Sequence, residues 1–200
     1  MKTTTQPMLH PPAWLARLGL NTADLAPFAD ELRVEGDTLL ARHRNQRGSP
    51  IGWEIITPAC PQPNSRYTVG GQGGAFRVFP TPCPRLVLTN GALQALAVAA
   101  FEGHRHDTAY VGLGGHPGAA ARATLTNYLV RWGVQEVEHA FGESDAELDV
   151  YSTADTHIVG LAERRRLGPL GWGPMPPPGG CWLKALSLVR KRAASGRRGS

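Results

Sequence analysis

The 200-residue chain has little cysteine, little charge and few aromatic residues, and each shortage closes off a class of protein. Its three cysteines, Cys60, Cys83 and Cys181, form no Cys-x-x-Cys pair. They are too few and too scattered for a disulfide framework or a four-ligand zinc site, and they read as reduced thiols. Long apolar runs are missing as well. The longest, Ala92 to Phe101, is interrupted by Gln94 and is about half of the roughly 20 residues that a membrane span needs. No membrane association is expected. The segment Met1 to Pro7 has one positive charge and no apolar stretch after it, unlike a secretory signal, so a cytoplasmic location is expected. Acidic residues are absent beyond Glu163: the 37 residues that follow carry 9 basic side chains, and the first 163 carry 12 basic against 16 acidic. The net charge of +5 therefore hides an acidic body and a basic C-terminal part. Clustered arginines and lysines of that kind suit a polyanion through phosphate neutralisation, or simply keep a tail solvated.

What is present is 42% hydrophobic residues, enough for one compact domain or a domain with a small lobe. Ala13 to Leu18 and a second piece capped by Asn21 or Thr22 predict a short helical entry. Leu32–Glu35 and Thr38–Ala41 flank Gly36-Asp37, and β-rich stretches follow at Ile51–Thr57 and Tyr67–Phe79. The run Gly70-Gly71-Gln72-Gly73-Gly74 lacks the Gly-Lys-Ser/Thr ending of a phosphate loop and reads as a hairpin turn. From Arg85 onward strand and helix alternate. Leu86–Thr89, Thr108–Gly112 and Val134–Phe141 read as strands, and helices are expected over Gly91–Glu102, from Pro117 through Trp132, and over Ser144–Arg165. Such crossovers imply a mostly parallel sheet with helices on its faces. Gly168 to Gly180 reads as a loop, followed by a short helix from Cys181 to Arg192 in which Trp182, Leu186 and Val189 face the core.

In an open parallel sheet, ligands sit at the carboxyl ends of the strands. Three segments lie there: Asn90 within "RLVLTNGALQAL", Gly112-Leu113-Gly114-Gly115 within "AYVGLGG", and Gly142–Asp145 within "VQEVEHAFGESDAE". Together with "WLARLGL", "GSPIGWEI", "YTVGGQGGAFRVF" and "PPPGGCWLKAL", they resemble the Toprim domain of plasmid and phage primases and of conjugative relaxase-associated proteins, over about residues 11–187. The resemblance implies an α/β fold with a Toprim-like, mostly parallel sheet flanked by helices, preceded by a small antiparallel α+β lobe. The expected boundaries are 1–84 for the lobe, 85–187 for the Toprim-like domain and 188–200 for a basic, disordered tail.

Toprim enzymes transfer phosphoryl groups with a glutamate as acid/base and carboxylates around a divalent metal, since Mg²⁺ prefers hard anionic oxygens. By the resemblance, Asn90 stands at the glutamate position and Gln94 at the following aspartate. Gly142 and Ser144 stand at the Asp-x-Asp pair, and Cys181 and Leu183 at the acidic and amide positions around Trp182. An amide is no general base near neutral pH, and glycine supplies no ligand. A dismantled site, with no catalytic residue, no resident metal and no cofactor, is the leading expectation. Sliding the third strand by one residue brings Glu143 and Asp145 to the acidic spacing, but it turns the strand over, and Ser144 to Glu147 also makes a helix capping box. That alternative is an active, Mg²⁺-dependent enzyme with a relocated site.

Other candidates are weaker. His104, Arg105, His106 and His116 lack a recognisable metal spacing and read as solvated loop residues. Gly112, Gly114 and Gly115 could offer backbone amides to an anion before the Pro117 helix. Arg122 and Arg131 read as the solvent side of their helix. Lys184, Arg190, Lys191, Arg192, Arg197 and Arg198 are the candidate contacts to nucleic acid, bound without sequence preference, as no helix clusters base-reading side chains on one face. The partner expected is DNA, together with a relaxase or replication protein of a plasmid or mobile element. A protein-binding remnant with no nucleic-acid role is the third reading.

Overall fold

The computed structural model describes residues 11–59, 64–69, 74–78, 83–114, 119–131, 134–141, 170–172 and 182–196. The chain enters through α1 (Ala13–Arg17) and α2 (Thr22–Leu25), and a 3-10 turn over Ala26–Glu31 follows. Asn21 caps α2 in a reciprocal box, its side chain accepting from the Asp24 amide while the Asp24 carboxylate accepts from the Asn21 amide. β1 (Leu32–Glu35) and β2 (Thr38–Arg44) form a hairpin with Glu35 opposite Thr38. Its two-residue turn uses Gly36 at φ +59°, a backbone state that favours glycine. β3 (Pro50–Thr57) pairs antiparallel with β2, and β4 (Asn64–Tyr67) with β3.

β5 (Ala75–Val78) does not pair with β4, which corrects the hairpin expected at the glycine run. The two strands lie on opposite sides of the β2–β3 pair, so the chain between them crosses that pair. β5 joins β2 on one side and β7 (Thr108–Gly112) on the other, both antiparallel. One sheet therefore runs through both expected parts of the chain, in the order β4-β3-β2-β5-β7-β6-β8-β9 with β1 also on β2.

The second half of that sheet is parallel. β6 (Arg85–Thr89) sits between β7 and β8 (Glu136–His139), all in the same direction. All five residues of β6 are buried, as a central parallel strand requires. α3 (Ala92–Phe101) returns β6 to β7, and α4 (Ala119–Arg131) follows β7. Leu39, Ile56, Val87, Tyr110 and α3 form one core with α1, α2 and Trp182, while Leu86, Leu88, Val111, Val137 and Leu125 and Leu129 of α4 form a second core across the sheet.

Leu170–Trp172, expected as loop, is β9, a three-residue strand parallel to β8 at the sheet edge. The closing helix α5 (Trp182–Gly196) extends beyond the expected end at Arg192, and residues 188–196, expected as disordered, are helical. Trp182, Leu183 and Leu186 are buried on α3, and Trp182 Nε1 donates to the Ala140 carbonyl at 2.9 Å. Val189, expected in the core, is exposed. The helix expected at Ser144–Arg165 lies outside the described residues.

Candidate functional site

β6 lies between β7, which follows it in the chain, and β8, which the chain reaches from β7 by passing to the other side of β6. A crevice at its carboxyl end is the expected ligand position. Asn90 lies there, directly after Thr89, whose hydroxyl donates to the Gly91 carbonyl at 3.0 Å and holds the turn into α3. Gly91, the N-cap of α3, has no side chain to satisfy the helix's first amides. An acceptor comes instead from the other half of the sheet: Glu54 Oε2, on β3, accepts from the Ala92 amide at 2.9 Å.

Glu54 is 1% exposed. The same oxygen lies 3.2 Å from His43 Nε2 on β2, and His43 is completely buried. Register explains the pairing: Ala41 faces Glu54 and His43 faces Gly52, so Glu54 and His43 share the inner face on adjacent strands. Tyr67, opposite Glu54 on β4, packs edge-on to the His43 ring at 5.6 Å. Burial and, after it, the Glu54 charge push the Tyr67 hydroxyl well above its ordinary range, so it stays a neutral phenol.

Two glycines close this arrangement from the β7 side. A β-carbon at Gly112 would fall 2.4 Å from the Gly91 carbonyl carbon, and one at Gly114, where φ is +71°, would fall 2.8 Å from His43 Cε1. The close approach of β7 to the start of α3, and of its loop to His43, gives both residues a packing role. Gly115 and His116 lie outside the described residues.

Asn90 Oδ1, Gln94 Oε1 and His43 Nδ1 are buried without a hydrogen-bond partner among the described residues. The two amides that resemblance puts at acidic positions thus stand at one strand end, beside a carboxylate already tied to a helix amide and a histidine. No group of three or more His, Cys, Asp or Glu side chains that could hold a metal ion occurs among the described residues. Gly142, Glu143, Ser144, Asp145 and Cys181 lie outside the described residues.

Sequence reasoning missed Glu54, His43 and Tyr67. A signal existed: Glu54 is the one charged residue in the apolar stretch Ile51–Ile56 and alternates in phase with buried Ile56.

No family model matches the chain, and no curated protein does. Solved structures do. The primase fragment of the bacteriophage T7 primase-helicase protein superposes with a TM-score of 0.55 at 16% identity, over 94% of this chain and 74% of that one. The Escherichia coli primase catalytic core gives 0.52 at 17% identity, over 96% and 75%. A DnaG primase catalytic domain bound to single-stranded DNA gives 0.53 at 18%, over 96% and 76%. The fold is primase-like.

The basic side chains divide. Arg190 folds back on α2, where Nη1 and Nη2 donate to the two Asp24 carboxylate oxygens, each at 2.6 Å, and Nη1 also reaches the Gly19 carbonyl. Burial would raise the Asp24 pKa, but the Arg190 hydrogen bonds and the Asn21 amide hold it below its ordinary value. His104, expected as a solvated loop residue, is half-buried at the end of α3 with φ +58°; its ring lies 5.5 Å from that of Phe28 and its Nε2 3.7 Å from Asp24. It is drawn inward because α3 packs against α2. Arg105 and His106 are exposed. Lys184, Lys191 and Arg192 are exposed on α5, and Arg197 and Arg198 lie outside the described residues.

Proposed function

We propose that this chain is a primase-like module of the plasmid- and relaxase-associated Toprim type that holds nucleic acid without transferring phosphoryl groups. It would act beside a replication or transfer protein of a mobile element. One observation carries the reading. At the end of β6, where the resemblance calls for a general-base glutamate, the chain has Asn90, and the nearby buried carboxylate, Glu54, is committed to the Ala92 amide and His43.

Binding would rest on charge. Lys184, Lys191 and Arg192 present cations on α5, and a non-specific contact of this kind weakens steeply as salt rises. The test is anisotropy of labelled single- and double-stranded DNA with the full chain, across a salt series, with and without Mg²⁺. Expected is salt-sensitive binding indifferent to Mg²⁺ and no cleavage or primer synthesis. Mg²⁺-dependent turnover that disappears in Asp145→Asn would overturn the reading in favour of a relocated acidic site.

A further inference from the structure

The inner face of β1–β4 packs on helices; the outer face carries a different chemistry. Between Thr38 and Val78 the chain has five arginines and one acidic residue, and that residue, Glu54, points inward. Strand alternation and register put Arg33, Leu40, Arg42, Trp53, Ile55 and Arg66 on the outer face, with Arg42 opposite Trp53, Arg33 opposite Leu40 and Arg66 opposite Ile55.

Three of these side chains are stacked. The Arg42 guanidinium carbon lies 5.1 Å from the centre of the Trp53 ring, and that of Arg33 lies 5.4 Å from it. Arg33 reaches diagonally from β1, since its direct partner on β2 is Leu40. All three are only partly buried. Glu35, on the same face, lies 3.7 Å from Arg33 and is 61% exposed, so its hold on the guanidinium is weak.

We propose that this Arg33–Trp53–Arg42 stack is a binding site for single-stranded nucleic acid. A half-buried indole on the outer face of a sheet, flanked by guanidinium groups, has what an unpaired base and its phosphate need. The ring supplies a flat π surface that accepts any base, and the arginines supply cations for the backbone. Arg33, whose one ion pair among the described residues is with the exposed Glu35, swings from ring to phosphate and frees the ring for a base. Arg42, opposite Trp53 in the ladder, keeps the indole oriented. A duplex buries its base faces within its own stack, so the site favours single strands. This inference rests on the nucleic-acid reading above and adds the surface and the strand form.

The test is anisotropy of a labelled 16-residue oligodeoxythymidylate on the full chain, with oligouridylate and a duplex as parallel probes. Trp53→Ala should weaken single-strand binding about tenfold or more and leave duplex binding within about twofold, while Trp53→Phe, which keeps a ring, should stay within about threefold. Arg33→Gln with Arg42→Gln should flatten the dependence of log K on log salt by roughly 1.4, the share of two phosphates on a single strand. Urea midpoints checked in parallel guard against misfolding. If the single strand binds but these variants bind it unchanged, and Lys184→Gln with Lys191→Gln and Arg192→Gln abolishes binding, the stack is not the site and the nucleic-acid reading stands. If no probe binds the unaltered chain even at low salt, both fall.

Discussion

Glu54 shows how one residue can tie two halves of a sheet together. Its carboxylate accepts the Ala92 amide, one of the first free donors of α3, and contacts His43. Replacing it with leucine leaves a buried amide and a buried histidine nitrogen unsatisfied, which costs roughly 2–4 kcal/mol. Replacing it with glutamine keeps an acceptor for the amide and costs about 1 kcal/mol. Urea denaturation checks both, with the midpoint falling and the slope unchanged if only the folded state is affected. Asn90 and Gln94 were legible from sequence as amides at expected acidic positions. Glu54 was not, because 38 residues separate it from its backbone partner.

At the scale of elements, α5 is held at both ends of its first three turns. Trp182, Leu183 and Leu186 bury its start, and Arg190 joins it to Asp24 of α2. Asp24 is 8% and Arg190 32% exposed along their side chains, so the pair is neither fully solvated nor fully desolvated. A double-mutant cycle with Asp24→Asn and Arg190→Met should return a coupling of about 1–3 kcal/mol in thermal or urea unfolding. Loss of Arg190 alone should also speed amide exchange along α5. Most elements from β6 through β7 were legible in sequence because apolar runs and glycines mark them locally. β9 and the absence of a β4–β5 hairpin were not, as an edge strand of three residues and a crossing of two strands leave no periodicity to read.

For the whole molecule, the parallel half of the sheet is locked at its amino ends by Arg85. This buried guanidinium donates to Glu102, at 2.8 Å from each of Nη1 and Nη2, to Glu138 and to Thr108, and the Tyr110 hydroxyl donates to Glu102 at 2.6 Å. Burial favours the neutral acid at Glu102, but Arg85 and Tyr110 more than offset it and hold the carboxyl below its usual range. A carboxylate with a lowered folded pKa adds stability above its unfolded value, and that stability is lost as pH falls through the folded value. Glu102 and Asp24 both behave this way, so stability should hold through neutral pH and decline below about pH 4. Arg85→Met, which strands two carboxylates, should cost about 3–5 kcal/mol at pH 7, and the gap to the unaltered protein should narrow toward pH 4 as Glu102 protonates. Urea titrations at a series of pH values check both statements.

The sequence by itself determined the alternation of strand and helix from Arg85 to His139, the hairpin at Gly36-Asp37 and the buried Trp182. These are local matters of periodicity, turn chemistry and residue type. Only the tertiary structure decided that the antiparallel lobe and the parallel strands share one sheet, that Glu54 and His43 meet the Asn90 turn, and that Arg190 belongs to Asp24. The physical reason is the length of chain between the partners, 166 residues for Arg190 and Asp24. Contacts of that span are set by which faces the sheet and helices bury, and no local pattern encodes them.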